Sequence, residues 1–248
     1  FLLFPFYQNI FSQQLVIDAF DEKPQNTNYW DVLIQDKTDT NLAFIKLQYD
    51  STNYYFGEAS MNLNWGIHRT KRWGGFSRIE HLCTKDNLYN FSNYDSLLIW
   101  FYNNIPSSFP NSSEFRILLY DASHSFDDSL SSKNTENYYS FHYVLDSQHG
   151  WQKIVIPLRI TNSYDNSGFT LTNWSGITGN ANLDLDKICG FGFEFASTEL
   201  GDSNSISGNI LLDNFSVKSS ITIIHPPIYA VIADTLNYKN IIYWDNPY

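Results

Sequence analysis

The sequence is poor in the residues that build thiol scaffolds, metal clusters and helical bundles. It holds two cysteines, Cys83 and Cys189, too few for a disulfide-knit scaffold or a four-thiolate zinc site. One methionine, and no long alanine- or leucine-rich stretch, argue against a bundle of helices. Lys and Arg total 15 against 26 Asp and Glu, a formal net charge of −11. A general binder of nucleic acid or anionic membrane needs a positive face, so that balance argues against both. There is no P-loop, dinucleotide fingerprint, HExxH or GxSxG motif, and no internal repeat of fixed period.

What the sequence does have is rings. It contains 19 Phe, 17 Tyr and 7 Trp, so aromatics match charged residues at 17% each, and a sizeable core is expected. Aromatic and β-branched side chains favour a pleated, half-buried surface. Apolar residues alternate rather than recur at helical spacing. The expected strands are 15–20, 43–48, 60–65, 77–81, 96–102, 115–121, 138–145, 152–157, 188–196 and 209–217, separated by Asn, Ser, Asp, Gly and Pro clusters that turn the chain. This is the pattern of an all-β sandwich or jelly roll.

The ends read differently from the middle. Residues 1–13, with the apolar run Phe1 to Phe11, are expected to be the tail of a truncated signal peptide, which implies export. The alternative is a genuine first strand. Residues 221–248, with Pro226, Pro227 and an inward Trp244, look like the start of a truncated fibronectin type III-like domain.

Alternation assigns faces. Leu97, Ile99 and Phe101 share one face, and Leu98, Trp100 and Tyr102 the other; Phe115, Ile117 and Leu119 are expected in the core, as are Tyr139, Phe141, Tyr143 and Leu145, then Phe191, Phe193 and Phe195. That leaves Arg116, Tyr120, His142 and Glu194 on opposite faces, with Arg78 and Glu80 on 77–81. Arg, His, Glu and Tyr offer planar hydrogen-bonding groups beside rings, which suits a sugar; an ordinary wet sheet face is the alternative.

The order of segments resembles the jelly-roll carbohydrate-binding modules of the galactose-binding-like superfamily, especially families 11, 30 and 4, and the complex I intermediate-associated protein 30 domain. The matching pieces are Val16-Ile-Asp-Ala-Phe-Asp, Trp30, Trp73-Gly-Gly-Phe-Ser, Phe91-Ser-Asn-Tyr-Asp-Ser-Leu-Leu-Ile-Trp-Phe, Trp151-Gln-Lys-Ile-Val-Ile-Pro-Leu, Ile188-Cys-Gly-Phe-Gly-Phe-Glu-Phe and Gly208-Asn-Ile-Leu-Leu-Asp-Asn-Phe-Ser-Val. Together they span residues 15–218. The resemblance implies a galactose-binding-domain-like jelly roll and a concave polysaccharide-binding sheet. Arg78, Arg116, Tyr120, His142 and Glu194 are the expected ligand-binding residues, with Trp73 at the rim or in the core. It implies non-catalytic binding by a monomeric, secreted or cell-surface module.

Two acids sit among residues expected to face inward: Asp18 with Val16 and Phe20, and Asp213 with Leu211, Phe215 and Val217. Buried carboxylates are costly unless paired or metal-bound, and oxygen-rich sites suit Ca²⁺. The resemblance implies a structural Ca²⁺ held by Asp21 and Asp213, with Asp18 third. The alternative is that Asp18 and Asp213 cap turns or accept backbone N–H bonds. Glu80 and Glu194 are the candidate carboxylates for glycoside hydrolysis, without a visible pocket to tune either. Protein adhesion is the other class of function, and an ancillary domain of a glycoside hydrolase is a third setting. In an exported chain Cys83 and Cys189 can pair; otherwise Cys189 is a small core residue.

Overall fold

Where the apolar period is two, side chains of one parity meet across two sheets. The computed structural model describes residues 13–24, 28–105, 113–142, 150–197 and 205–219, and the backbone of 228–234 and 239–244. Residues 1–12 of the expected signal segment, and residues 221–227 at the start of the expected fibronectin-like segment, lie outside the described residues.

In chain order the strands are β1 (Gln14–Asp18), β2 (Asp31–Ile34), β3 (Phe44–Asp50), β4 (Ser60–His68), β5 (Gly75–Leu82), β6 (Ser96–Ile105), β7 (Glu114–Asp121), β8 (Glu136–His142), β9 (Trp151–Pro157), β10 (Thr170–Gly176), β11 (Ile188–Ser197), β12 (Ser205–Lys218), β13 (Ile228–Asp234) and β14 (Lys239–Trp244). One antiparallel sheet runs β3-β4-β12-β6-β9, with β1 also on β12. The facing sheet runs β10-β8-β7-β11-β5-β2. Among the described residues β13 and β14 form a two-stranded sheet of their own. The result is an all-β, two-sheet jelly-roll sandwich. The short β2 and the Thr/Asn/Ser-containing β10 were not among the expected strands.

Rings hold the sheets together. Trp65 of β4 lies flat on Phe195 of β11, centroids 4.7 Å apart and planes 3° from parallel. Phe191 meets Phe215 of β12 at 4.7 Å. Phe115, Ile117, Leu119, Phe191, Phe193 and Phe195 face this core, as their alternation predicts, and of the two faces of β6 it is Leu97, Ile99 and Phe101 that join them.

Two strands depart from simple alternation. On β12, Ile210 and Leu212 point inward before a register shift between Asp213 and Ser216, and Phe215 and Val217 point inward after it. Asn214, at φ 46°, makes that bulge. An extra residue in a strand flips the parity of the residues beyond it, so Leu211 and Asp213 face outward, not inward. On β1, Val16 is exposed and Ile17 packs against the core, while Phe20 re-enters it through a left-handed backbone at φ 58°.

On β8 the expected faces are reversed. Register pairs His142 with Phe115, Ser140 with Ile117 and Tyr138 with Leu119, all core positions. Tyr139 and Phe141 therefore line the outer face. Tyr143 and Leu145 lie outside the described residues.

Cys83 and Cys189 are neighbours across β5 and β11, with the Cys83 N–H donating to the Cys189 carbonyl at 2.7 Å. Both are free thiols here, so the disulfide alternative is not met. Burial pushes the Cys83 thiol up to about 11 and raises that of Cys189 further.

Candidate functional site

On the outer face of the second sheet, cross-strand register sets one residue per strand in a row: Leu33, Arg78, Glu194, Arg116 and Phe141. The arginines flank the glutamate. Arg116 Nη1 donates to Glu194 Oε1 at 2.9 Å, and its Nε and Nη2 donate to Glu114 Oε2 at 2.9 and 2.8 Å. Arg78 places Nη1 3.5 Å from Glu194 Oε2 and Nε 3.0 Å from Glu80 Oε2. It also donates from Nη1 to the Tyr139 hydroxyl at 3.0 Å. Each guanidinium lies over a ring, Arg116 over Phe141 at 5.0 Å and Arg78 over Phe76 at 5.6 Å.

Burial works against the charge on both arginines, but neighbouring groups outweigh it. For Arg78 these are Tyr120, Glu194, Tyr139 and Glu80; for Arg116, Glu194 and Glu114. Both guanidiniums are held more firmly protonated than usual. The Tyr139 phenol is pushed up to about 12, first by burial and then by Glu194. Removing one member of such a network strands the others, so its donors and acceptors are fixed in place.

Above this floor stand two aromatic walls. The turn Lys71–Gly74, closed by the Gly74 N–H on the Lys71 carbonyl, carries Trp73 at its tip, 50% exposed and 6.5 Å from Phe76. Opposite, Trp174 of β10 is 56% exposed. It stacks on Tyr164 at 5.8 Å and meets the edges of Tyr139 and Phe141. Gln35, Trp73, Phe76, Arg78, Arg116, Tyr139, Trp174, Ser175 and Glu194 line a cavity of about 600 Å³. Two ring surfaces facing a rigid polar floor can cover the C–H faces of a ring-shaped polar ligand while the floor meets its hydroxyls.

Of the expected ligand residues, Arg78, Arg116, Glu194 and Trp73 meet in this groove. Tyr120 and His142 do not. Tyr120 is on the groove face but fully buried, in a cluster with Leu118, Tyr139, Phe141 and Leu130. Its hydroxyl donates to Glu80 Oε2 at 2.5 Å, and Ser132 donates to Glu80 Oε1 at 2.8 Å. Gly192 leaves room for this: a Cβ there would sit 2.9 Å from the Tyr120 oxygen. Glu80, a candidate hydrolytic acid in the sequence, is thus a covered structural carboxylate.

His142 lies on the core side, beside Ser140 at 3.2 Å. Burial pushes its imidazole down to about 4, against about 6.5 when free. The folded state therefore binds fewer protons between those values, and its contribution to stability is lost as pH falls from 6.5 toward 4. Asp121 acts oppositely. It is fully buried, and burial, opposed by the Ser123 and Asp184 amides, pushes its carboxyl up from 3.8 to about 6. Its contribution is gained as pH falls through that window. Each is worth roughly 3 kcal/mol at about 1.36 kcal/mol per pKa unit, so they largely cancel. His142→Gln should unmask Asp121, giving a domain whose melting temperature rises between pH 6.5 and 4.5 relative to the parent. Parallel melting profiles for the two proteins would contradict this assignment.

The three acids expected at a cation site have separate roles. Asp18 caps a turn: Oδ1 accepts the Phe20 amide at 2.8 Å and Oδ2 the Tyr29 hydroxyl at 3.3 Å. Asp21 and Asp213 meet the loop after β3. Asp213 Oδ2 accepts the Tyr55 and Phe56 amides at 2.7 and 2.9 Å, and Asp21 Oδ1 accepts those of Glu58 and Ala59 at 2.6 and 3.3 Å. Gly57 sits between them at φ 66°, where a Cβ would fall 1.9 Å from Asp21 Oδ1. Asp213 Oδ1 and Asn214 Oδ1 are buried without a well-formed hydrogen bond. Among the described residues no three His, Cys, Asp or Glu side chains group as metal ligands.

Neither a family model nor a curated protein matches this sequence. Solved structures do. A family 11 carbohydrate-binding module of a cellulosomal cellulase of Clostridium thermocellum superposes with a TM-score of 0.57 at 15% identity, covering 86% of this chain and 98% of the module. The chain shares the sandwich fold of that module. A family 11 module of the same organism, in complex with a β-1,3-1,4-mixed-linked tetrasaccharide, superposes with a TM-score of 0.54 at 15% identity, covering 84% of this chain and 97% of its own. These likenesses concern the fold; they lend no support to the complex I or fibronectin type III resemblances.

Sequence reasoning missed Trp174, Tyr164, Tyr139, Phe76 and Glu114. Trp174 shares the sequence parity of Thr170, which pairs with Tyr139 on the groove side, although the register with β8 shifts between Leu171 and Gly176. That signal was hidden by a segment whose Thr, Asn, Ser and Gly read as a loop.

Proposed function

We propose that this domain is a non-catalytic carbohydrate-binding module that takes a polysaccharide chain in the groove between Trp73 and Trp174. The observation that carries the reading is the pairing of those exposed indoles with a buried, internally bonded floor of Arg78, Glu194 and Arg116. The tetrasaccharide complex of a module of the same fold supports it. The floor shows little surface, so stacking on the walls supplies most of the affinity. Sugar hydroxyls must give up water of similar quality, so a Kd of roughly micromolar to millimolar is expected. Affinity electrophoresis against soluble β-glucans, mannans and galactans tests this. Retardation by at least one is the expected result; unchanged mobility in all of them, with no binding to insoluble polysaccharide, would overturn it. The same reading places the domain in an exported protein, where such polymers lie.

We also propose a structural Ca²⁺ beside Asp21 and Asp213. The two orphaned oxygens, Asp213 Oδ1 and Asn214 Oδ1, support it, and with Asp21 they supply the hard oxygen donors this ion prefers. The ion's work would be to hold the loop at residues 55–59 against β12. Chelation should lower the melting temperature of the parent but not of Asp213→Asn. Equal, chelator-insensitive melts would count against the ion.

A second reading, docking of a protein, rests on one observation. On the outer face of the other sheet, Tyr55 stacks on Trp100 at 3.6 Å, beside Phe56 and Trp151, with Tyr55 and Phe56 42% and 48% exposed. Loss of a partner on Tyr55→Ala, with glycan binding intact, would favour it.

A further inference from the structure

We infer that Glu194, with Glu114, sets the groove's choice of sugar by occupying both arginines, so that neutral glycans enter and acidic ones are refused. The inference rests on the carbohydrate-binding reading of this groove and names its ligand class.

Two arginines in a groove ordinarily suggest an anion, because a guanidinium fork matches a carboxylate or sulfate. Here the Arg116 fork is already filled and the Arg78 charge is already paired. Arg116 commits Nε and Nη2 to Glu114 and Nη1 to Glu194. Arg78 donates from Nη1 to Tyr139 and is ion-paired with Glu80 and Glu194, 3.0 Å from Nε and 3.5 Å from Nη1, without a well-formed hydrogen bond from Nε. Glu194 is the one carboxylate that touches both, one oxygen to each. The cluster of Glu80, Glu114 and Glu194 against Arg78 and Arg116 formally carries one more negative charge than positive.

Burial makes this decisive. Glu194 is 2% exposed, Arg78 4% and Arg116 8%, so solvent screens their charges poorly. A uronate or sulfate over the row would face Glu194 at the centre, with the Arg116 fork filled by Glu114 and the Arg78 charge already paired with Glu80 and Glu194. Like charge at close range is repelled and works as exclusion. A neutral hydroxyl meets no such penalty and can bond to the edges of the same groups. Exposed Lys71 and Arg72, before Trp73, add only a screened attraction at the rim.

Exchanging Glu194 for its neutral isostere should therefore open the arginines. In Glu194→Gln the cluster turns balanced, and each guanidinium has one carboxylate fewer. We expect oligogalacturonate to bind this variant at least tenfold tighter than the parent, with an affinity that falls as salt rises. Binding of the neutral glycan should weaken, because Glu194 is part of the floor. Glu114→Gln, nearer the edge, should give a smaller gain of the same sign and covers the case in which Glu194→Gln does not fold. Titration calorimetry of both variants and the parent, with a neutral oligosaccharide and with oligogalacturonate, reads all of this. If the parent itself prefers oligogalacturonate, the inference is overturned. If the parent binds the neutral glycan and no folded variant gains acidic binding, the inference falls while the groove stands. If the parent binds neither at any concentration reached, the groove reading fails and takes the inference with it.

Discussion

Trp174→Ala is expected to weaken glycan binding about thirtyfold, some 2 kcal/mol, while moving the melting temperature little. The indole is 56% exposed and stacks only on Tyr164 and ring edges at the rim, so folding gains little from it. A sugar ring laid on it would bury both. Trp73→Ala should act in the same direction from the other wall, and the double variant should reduce retention in affinity electrophoresis to background. Because the two indoles share one ligand, their effects are coupled through it, and a double-mutant cycle reads that coupling. Full binding by the double variant, with a parent-like melt, would remove the walls from the site.

Tyr120→Ala should do the reverse: a large loss of stability, about 3–5 kcal/mol. That corresponds to a melting temperature lower by roughly 10 °C in a domain of this size. The ring fills the cluster with Leu118, Phe141 and Cys189, and its hydroxyl satisfies a buried carboxylate. Tyr120→Phe isolates the second part. It keeps the packing and leaves Glu80 with Arg78 and Ser132 alone, for roughly 1–3 kcal/mol. At temperatures where the variants remain folded, Tyr120→Phe should still bind glycan. A melt unaffected by either change would mean that the cluster is not closed in solution.

These two outcomes separate residues that look alike in the sequence. Arg116 and Tyr120 stand on β7 at the same parity, and alternation alone sends both to an open face. The structure covers the far end of that face, where Leu130 packs on the cluster that holds Tyr120 and Ser132 reaches Glu80. Loop coverage has no periodic signal, so it was not legible. Faces were readable where one parity was all apolar and the other was not, as for Phe191, Phe193 and Phe195 or Phe115, Ile117 and Leu119. They were unreadable on β8, because both parities carry rings or histidine, and the more apolar set, Tyr139 and Phe141, belongs to the groove. A rule that sends rings to the core fails on a surface that itself uses rings.

Asp213 shows a third limit. The reading that put it inward counted through Asn214, whose left-handed backbone adds one residue to the strand. Yet the pairing of Asp21 with Asp213 around one loop was legible, through the resemblance rather than the parity. Trp73 was legible for a local reason: glycines directly after it permit the tight turn that lifts it clear, with Gly74 at φ 109°.

The central claim is that a neutral glycan lies between the two walls over the arginine row. The most direct test is titration of a soluble β-linked glucan or mannan oligosaccharide that binds the domain into ¹⁵N-labelled protein, following the indole and Arg Nε signals by NMR. The account predicts saturable shifts at Trp73, Trp174, Arg78 and Arg116, with Trp65 in the core and Trp100 on the opposite sheet unmoved. Shifts confined to Trp100 and Trp151, with Trp73 and Trp174 silent at saturation, would contradict it.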